Sequence, residues 1–194
     1  EFKIDIAGLE LYLPLGKGGR VVIADRDVVR GGFGLVDLIN NTGATIVQAT
    51  PSLWRMLMEA GFKPHAGLKM LSGGEPLPRD LADALTATGA ELWNMYGPTE
   101  TTIWSSCARV ENGKPITIGE PIDNTQLFIL DANDQLAPIG VTGQLYIGGD
   151  GLALGYFKRD DLTAGAFRTV TLPGHTPQRL YNTGDVGRRL ANGD

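Results

Sequence analysis

The chain has 194 residues, 17 of them basic and 22 acidic, for a formal net charge of −5. That length can bury a sizeable core and suits one large domain or two small ones. Neither sign runs in a block and no basic stripe with interleaved aromatics occurs, which sets nucleic acid and membrane aside as expected partners. Short apolar runs and amphipathic stretches alternate up to about residue 106. "RVVIA" (20–24) predicts a buried strand, being β-branched and bounded by Gly19 and Asp25. "GFGLVDLINNTG" (32–43) predicts a helix stopped at Gly43. "ATIVQA" (44–49) predicts a second strand, after which Pro51 opens the helix "PSLWRMLMEAG", with Trp54 and Met56 in the core. "LKMLSGG" (68–74) predicts a third strand, "PRDLADALTATG" (78–89) a helix, and "ELWNMYG" (91–97) a fourth strand.

Repeated strand–helix units with continuous apolar strands predict a doubly wound parallel sheet, flavodoxin-like, over residues 1–108. Beyond it helical periodicity nearly vanishes. "PITIGEPI", "TQLFILD", "GQLYIGG" and "RLYNTGDVGRRL" predict a small, mostly antiparallel, barrel-like β subdomain over 109–194, with one helix in "KRDDLTAGAF" (158–167). The single cysteine, Cys107, excludes an internal disulfide and a multi-cysteine metal site, and suits a reducing cytoplasm. No apolar run reaches the length of a membrane span.

Ligands of a doubly wound sheet sit beyond the carboxyl ends of its strands, and three unusual stretches fall there. "LSGGEP" (71–76) has adjacent glycines that let a flat ring or phosphate approach the backbone, but by itself it reads as a tight turn. "NMYGPTETT" (94–102) asks for more. Asn94 and Tyr96 can meet a base, and Thr99, Thr101 and Thr102 can donate to phosphate oxygens. Glu100 among them would repel phosphate unless a Mg²⁺ ion lies between. Helix capping by Thr99 would explain one hydroxyl and leave the Tyr-Gly-Pro and the other threonines unexplained. "YNTGD" (181–185) offers Asp185 to the two hydroxyls of a ribose, or is simply a hairpin turn. "GQLYIGGDGLALGYF" (143–157) lacks the Gly-Lys-Ser/Thr of a P-loop and reads as structural. His65 and His175 lie in Pro/Gly-rich loops as surface histidines, and no zinc-hydrolase or serine-hydrolase motif is present.

Taken together, "IDIAGLELYLPL", "QATPSLWRML", "LSGGEPLP", "NMYGPTETTIW", "IGEPIDNTQLFILD", "GQLYIGGDGLALGYF" and "YNTGD" resemble, in order, the motifs of nonribosomal peptide synthetase adenylation domains, within the adenylate-forming ligases. The resemblance implies attack of an amino-acid carboxylate on the α-phosphate of ATP, release of pyrophosphate, and transfer of the aminoacyl group to the phosphopantetheine thiol of a peptidyl carrier protein. By position it implies that Glu100 holds Mg²⁺, that Thr99 contacts the α-phosphate, and that Asn94 and Tyr96 face adenine. Gly74, Glu75 and Gly97 would border the nucleotide, and Asp185 would hold the ribose.

The same resemblance implies that Asp5 pairs with the α-ammonium of the substrate. Ile6, Leu9, Gln48, Leu71, Gly73, Met95, Ile103 and Trp104 would line the side-chain channel, whose volume Trp104 reduces. The order of these residues resembles a glycine-selecting signature, with alanine as runner-up. Ile4 stands where the family has Phe, Glu120 where it has Arg, and Asn182 where it has a basic residue. The family's phosphate loop would precede Asp5 and its lysine-bearing lid would follow Asp194. The expectation is therefore a piece that needs the remaining adenylation-domain parts and turns over negligibly alone. An acyl- or aryl-CoA ligase and a non-catalytic specificity module are the alternatives.

Overall fold

In the computed structural model, which describes residues 5–174 and 176–194, the chain divides into an α/β unit and a β-rich unit. The first comprises Ile6–Met95 and Ala108–Thr117; the second takes Asp5, Tyr96–Cys107 and Ile118–Asp194. Ile4 and His175 lie outside the described residues.

The α/β unit begins with α1 (Ile6–Gly16), α2 (Arg26–Arg30) and α3 (Gly32–Thr42). Gly43 ends α3 at φ 62°, the left-handed conformation that only glycine adopts without cost. Then follow β1 (Ile46–Ala49), α4 (Pro51–Glu59), β2 (Lys69–Gly73), α5 (Arg79–Thr86) and β3 (Glu91–Tyr96). The three strands pair in parallel, with Gln48 opposite Leu71 and Gly73 opposite Met95. Parallel neighbours need a long crossover connection, usually helical, and α4 and α5 lie in these two. At the start of α4, the Thr50 hydroxyl accepts from Leu53 N at 3.3 Å and Pro51 fills the first turn. The Glu75 carboxylate accepts from Ser52 N at 3.2 Å and from its hydroxyl at 2.6 Å, placing negative charge where the helix dipole favours it.

Ile39 of α3, Trp54 and Leu57 of α4, and Leu85 of α5 pack in one cluster with Met70 of β2 and Leu92 of β3. Burial alternates along β3, with Leu92 and Asn94 buried and Trp93 and Met95 half-buried, as a strand's period of two requires. Met56, expected in the core, is only half-buried and does not belong to this cluster. The strand expected over 20–24 is not formed: Arg20–Ala24 carry no strand pairing, and Ile23 is 81% exposed. A β-branched run becomes a strand only where a neighbouring ladder receives it.

The first two residues of β4 (Ser106–Arg109) belong to the β-rich unit and meet β5 (Glu120–Pro121) there, Ser106 opposite Pro121 and Cys107 opposite Glu120. Only this dipeptide of the expected "PITIGEPI" strand pairs. The main sheet is antiparallel. Its strands β6 (Thr125–Leu130), β7 (Gly143–Gly149), β8 (Phe167–Val170) and β9 (Gln178–Gly187) lie in the order β6-β7-β9-β8, and α6 (Asp160–Ala166) precedes β8. Leu130, Tyr146, Val170, Leu172 and Leu180 form its core. No helix among the described residues is long and apolar enough to cross a membrane.

Leu57 is fully buried in the α/β core, so Leu57→Ala should lose its transfer energy and leave a cavity. A destabilisation of about 2–5 kcal/mol in urea unfolding is expected, and a loss below about 1 kcal/mol would contradict this packing.

Candidate active site

The most constrained backbone follows β3. Gly97 has no room for a side chain: a Cβ would lie 2.7 Å from Ile103 O, Ser105 N and Trp104 Cα. Ser105 N donates to Tyr96 O at 2.8 Å, closing a loop over the intervening residues. Inside it, Thr99–Thr101 make a single 3-10 turn without a side-chain cap. Thr101 Oγ1 donates to Pro98 O at 3.1 Å and lies 2.6 Å from Ser105 Oγ, so the serine is the donor in that buried pair.

Thr102 and Ile103 then adopt φ 63° and 68°, a region β-branched residues avoid. The Asp5 carboxylate accepts from Ile103 N at 2.7 Å and satisfies the amide turned out by this backbone. The outcome is an exposed Thr99 and a half-buried Glu100 on the loop, with Trp104 buried on its return.

Glu100 is held at both ends. Tyr156 Oη donates to Glu100 Oε1 at 2.6 Å, and Ala153 N donates to the Glu100 carbonyl at 2.8 Å. The bond to Glu100, with burial adding to it, lifts the Tyr156 phenol above its ordinary value. Burial first, then Tyr156 and Glu100, lift that of Tyr181.

Tyr96 and Asp185, 89 positions apart, are brought together: Tyr96 Oη donates to Asp185 Oδ2 at 2.6 Å. Asp185 sits after the Gly184 turn, at φ 80°, with its amide donating to Thr183 Oγ1 at 3.0 Å and its carbonyl accepting from Gln144 Nε2 at 2.7 Å. An exposed carboxylate beside a phenol on a braced turn is an acceptor site for neighbouring hydroxyls.

Of the residues singled out in the sequence, Asp5, Tyr96, Gly97, Thr99, Glu100, Ile103, Trp104 and Asp185 belong to the β-rich unit. Ile6, Leu9, Gln48, Leu71, Gly73, Gly74, Glu75, Asn94 and Met95 belong to the α/β unit. There, Asn94 is buried and its amide nitrogen donates to Thr117 O at 2.7 Å, so part of its capacity is taken within the fold. Gly74 turns at φ 83° and is exposed. Ile6, Leu9, Leu71 and Met95 are half-buried and Gly73 is buried.

Three further side chains had no signal in the sequence. Tyr156 bears on Glu100 from a distant segment, and Tyr181 packs on the same Phe167 ring as Tyr156. Glu10 accepts from Gln48 Nε2 at 3.2 Å, and desolvation lifts its carboxyl above the ordinary range, partly offset by that bond. Among the described residues, no group of three or more His, Cys, Asp or Glu could hold a metal ion by itself.

Burial and then the bond to Asp185 hold the Tyr96 phenol above its ordinary value of 10.0, against a smaller opposing effect of Thr183. The folded chain therefore binds this proton more tightly than the unfolded chain does. That contribution is complete below pH 10 and is lost as the pH climbs past it. Tyr96→Phe should make the fall in urea stability between about pH 9 and about pH 11 shallower, though not flat, since Tyr156 and Tyr181 shift the same way. An unchanged slope would contradict this environment for Tyr96.

The family model described as AMP-binding enzyme matches residues 3–157. A dimodular nonribosomal peptide synthase of Bacillus subtilis is 47% identical over 97% of the chain, which spans 8% of that protein. Tyrocidine synthase 3 of Brevibacillus parabrevis is 40% identical over 99% of the chain, which spans 3% of it. Among solved structures, a four-domain nonribosomal peptide synthetase bound to AMP and glycine superposes with a TM-score of 0.88 at 48% identity. That match covers 94% of this chain and 14% of that one. A synthetase containing adenylation and carrier domains superposes with a TM-score of 0.86 at 30% identity, covering 100% of this chain and 35% of that one. The chain belongs to the AMP-binding enzyme family and, within it, is of the nonribosomal peptide synthetase adenylation type.

Proposed function

We propose that the chain reads the nucleotide and the amino acid for a ligase that joins an amino-acid carboxylate to the α-phosphate of ATP. Pyrophosphate leaves, and the aminoacyl group passes from the adenylate to the phosphopantetheine thiol of a peptidyl carrier protein in a cytoplasmic setting. The observation that carries this reading is the closed loop after β3, which presents Thr99 and Glu100 together, with Tyr96 at its base bonded to Asp185.

Each of these side chains has a task within the reading. The Thr99 hydroxyl donates to the α-phosphate without adding charge. Tyr96 faces the base, Gly97 lets the nucleotide come close, and Asp185 accepts from the ribose hydroxyls. Glu100 holds Mg²⁺. This ion keeps waters and substrate phosphates among its ligands and needs only one or two protein carboxylates, so a lone half-buried glutamate suits it. Magnesium, when bound, offsets the charge of the phosphates. Asp5 pairs with the substrate ammonium, a charge-assisted contact, and its bond to Ile103 N keeps the carboxylate oriented for it.

In the α/β unit, motif position assigns Gly74, Glu75 and Asn94 to the nucleotide, and Ile6, Leu9, Gln48, Leu71, Gly73 and Met95 to selectivity. Ile103 and Trp104 carry selectivity in the β-rich unit. Glycine is the proposed substrate and alanine the runner-up. The bulk of Trp104 argues for a small side chain, and the neighbour solved with AMP and glycine supports it at 48% identity. One methylene in a pocket is worth about 1–3 kcal/mol, so rejection of alanine relies on a steric clash with the indole. An acyl- or aryl-CoA ligase would give Asp5 no ammonium to meet.

The full-length protein that carries this chain should catalyse ATP–pyrophosphate exchange most strongly with glycine, and about 10- to 200-fold less with alanine. Trp104→Ala should admit bulkier amino acids, and unchanged glycine selectivity would count against the pocket assignment. Glu100→Gln should lower exchange by about 10²-fold or more at an unchanged melting temperature. A variant that retains full turnover removes Glu100 from the chemistry. Ligand binding by the wild type without exchange would favour a non-catalytic module.

A further inference from the structure

We propose that Tyr156, packed on Phe167, is a positioning residue that fixes the Glu100 carboxylate for the divalent cation. The glycine-rich segment 149–156 is then a brace for that carboxylate rather than a passive turn. This inference rests on the reading of Glu100 as the cation ligand.

The geometry is specific to this segment. Four contacts run from it to the loop bearing Glu100. Tyr156 Oη donates to Glu100 Oε1 at 2.6 Å, and Ala153 N donates to Glu100 O at 2.8 Å. Thr102 Oγ1 donates to Gly151 O at 2.7 Å. Gly151 itself lies so close that a Cβ would sit 2.7 Å from Thr101 O. The glycine is there because backbone meets backbone, which explains a glycine-rich stretch without phosphate-loop chemistry.

The phenol is itself braced. Tyr156 N donates to Thr163 Oγ1 at 2.9 Å, and Thr163 Oγ1 donates to Arg159 O at 2.9 Å in the first turn of α6. Phe167 packs against both rings, with centroids 6.0 Å from Tyr156 and 5.0 Å from Tyr181. Arg179 lies over Phe167 at 4.3 Å and donates to the carbonyls of Ala153 at 2.7 Å and Leu154 at 2.9 Å. A carboxylate on a loop samples rotamers. A short charge-assisted bond from a ring with few torsions of its own holds one oxygen and so sets the plane of the other. Outer partners of metal-binding carboxylates act in this way, and their loss typically costs 10–100-fold in metal affinity.

The test uses the full-length protein with a non-hydrolysable ATP analogue, titrated with Mn²⁺ and followed by electron paramagnetic resonance. Tyr156→Phe keeps the ring and removes only the hydroxyl. It should weaken Mn²⁺ binding about 10- to 100-fold and raise the Mg²⁺ concentration for half-maximal exchange in proportion. Nucleotide affinity without metal should not change. Thr163→Val, which removes the hydroxyl that accepts from Tyr156 N, should give a smaller loss in the same direction, and serves if Tyr156→Phe folds poorly. Glu100→Gln separates the two claims. If it weakens Mn²⁺ binding while the Tyr156 and Thr163 variants bind as wild type, the positioning role is overturned and the metal reading stands. If Glu100→Gln itself leaves Mn²⁺ affinity unchanged, the metal reading fails and takes this inference with it.

Discussion

The chain must reverse between Tyr96 and Ser105 in a space too tight for any side chain at Gly97, and the candidate chemistry depends on that reversal. Backbone lies on backbone there, closed by Ser105 N on Tyr96 O. The consequence is a division of labour along nine residues. Thr99 and Glu100 are presented on the loop, Thr101 and Ser105 hold it together from inside, and Trp104 is buried on the return. Two successive β-branched residues in left-handed backbone mark where the cost falls. Strain of this kind persists only where surrounding bonds over-determine it, and here Asp5 caps the amide of Ile103 while Gly151 receives the hydroxyl of Thr102.

Carboxylates recur at each of these points, and their partners differ in a way that suits separate tasks. Asp5 receives an amide, Glu100 a phenol, and Asp185 another phenol. Among the described residues, none of the three forms an ion pair with a cationic side chain. A carboxylate oriented by a neutral donor keeps its charge for a ligand. That is the arrangement expected if Asp5 meets an ammonium, Glu100 a metal ion and Asp185 a pair of hydroxyls. A structural ion pair would instead have consumed the charge in folding.

Much of the architecture was legible because local signals agreed. β1, β2 and β3 are short apolar runs, α3 stops at Gly43, and α4 opens on Thr50-Pro51. The failures have physical causes. "RVVIA" has the composition of a strand but no ladder to join. "IAGLELYLPLG" forms α1, although it is apolar all round but for Glu10 and contains Pro14, so no helical stripe distinguishes it. β4, Ser-Cys-Ala-Arg, and β8, Phe-Arg-Thr-Val, each carry an arginine and lack a continuous apolar run, so neither stands out as a strand. For the candidate site, motif spacing singled out Tyr96, Thr99, Glu100 and Asp185 because glycine, proline and hydroxyl residues cluster around them. It could not find the partnership of Glu100 with Tyr156, 56 positions away, since only the folded β-rich unit joins them. For the same reason Gly149 and Gly151 read as a plain turn, while their packing against Asn124 and Thr101 is what requires them.

The central claim is that the loop after β3 reads an aminoacyl-adenylate. The most direct measurement is a crystal structure of the full-length protein with a non-hydrolysable glycyl-adenylate analogue and Mg²⁺. The account predicts the glycyl ammonium on Asp5, the ribose hydroxyls on Asp185 and the metal on Glu100. An analogue bound with its ammonium and ribose away from Asp5 and Asp185, or a metal that does not touch Glu100, would contradict it.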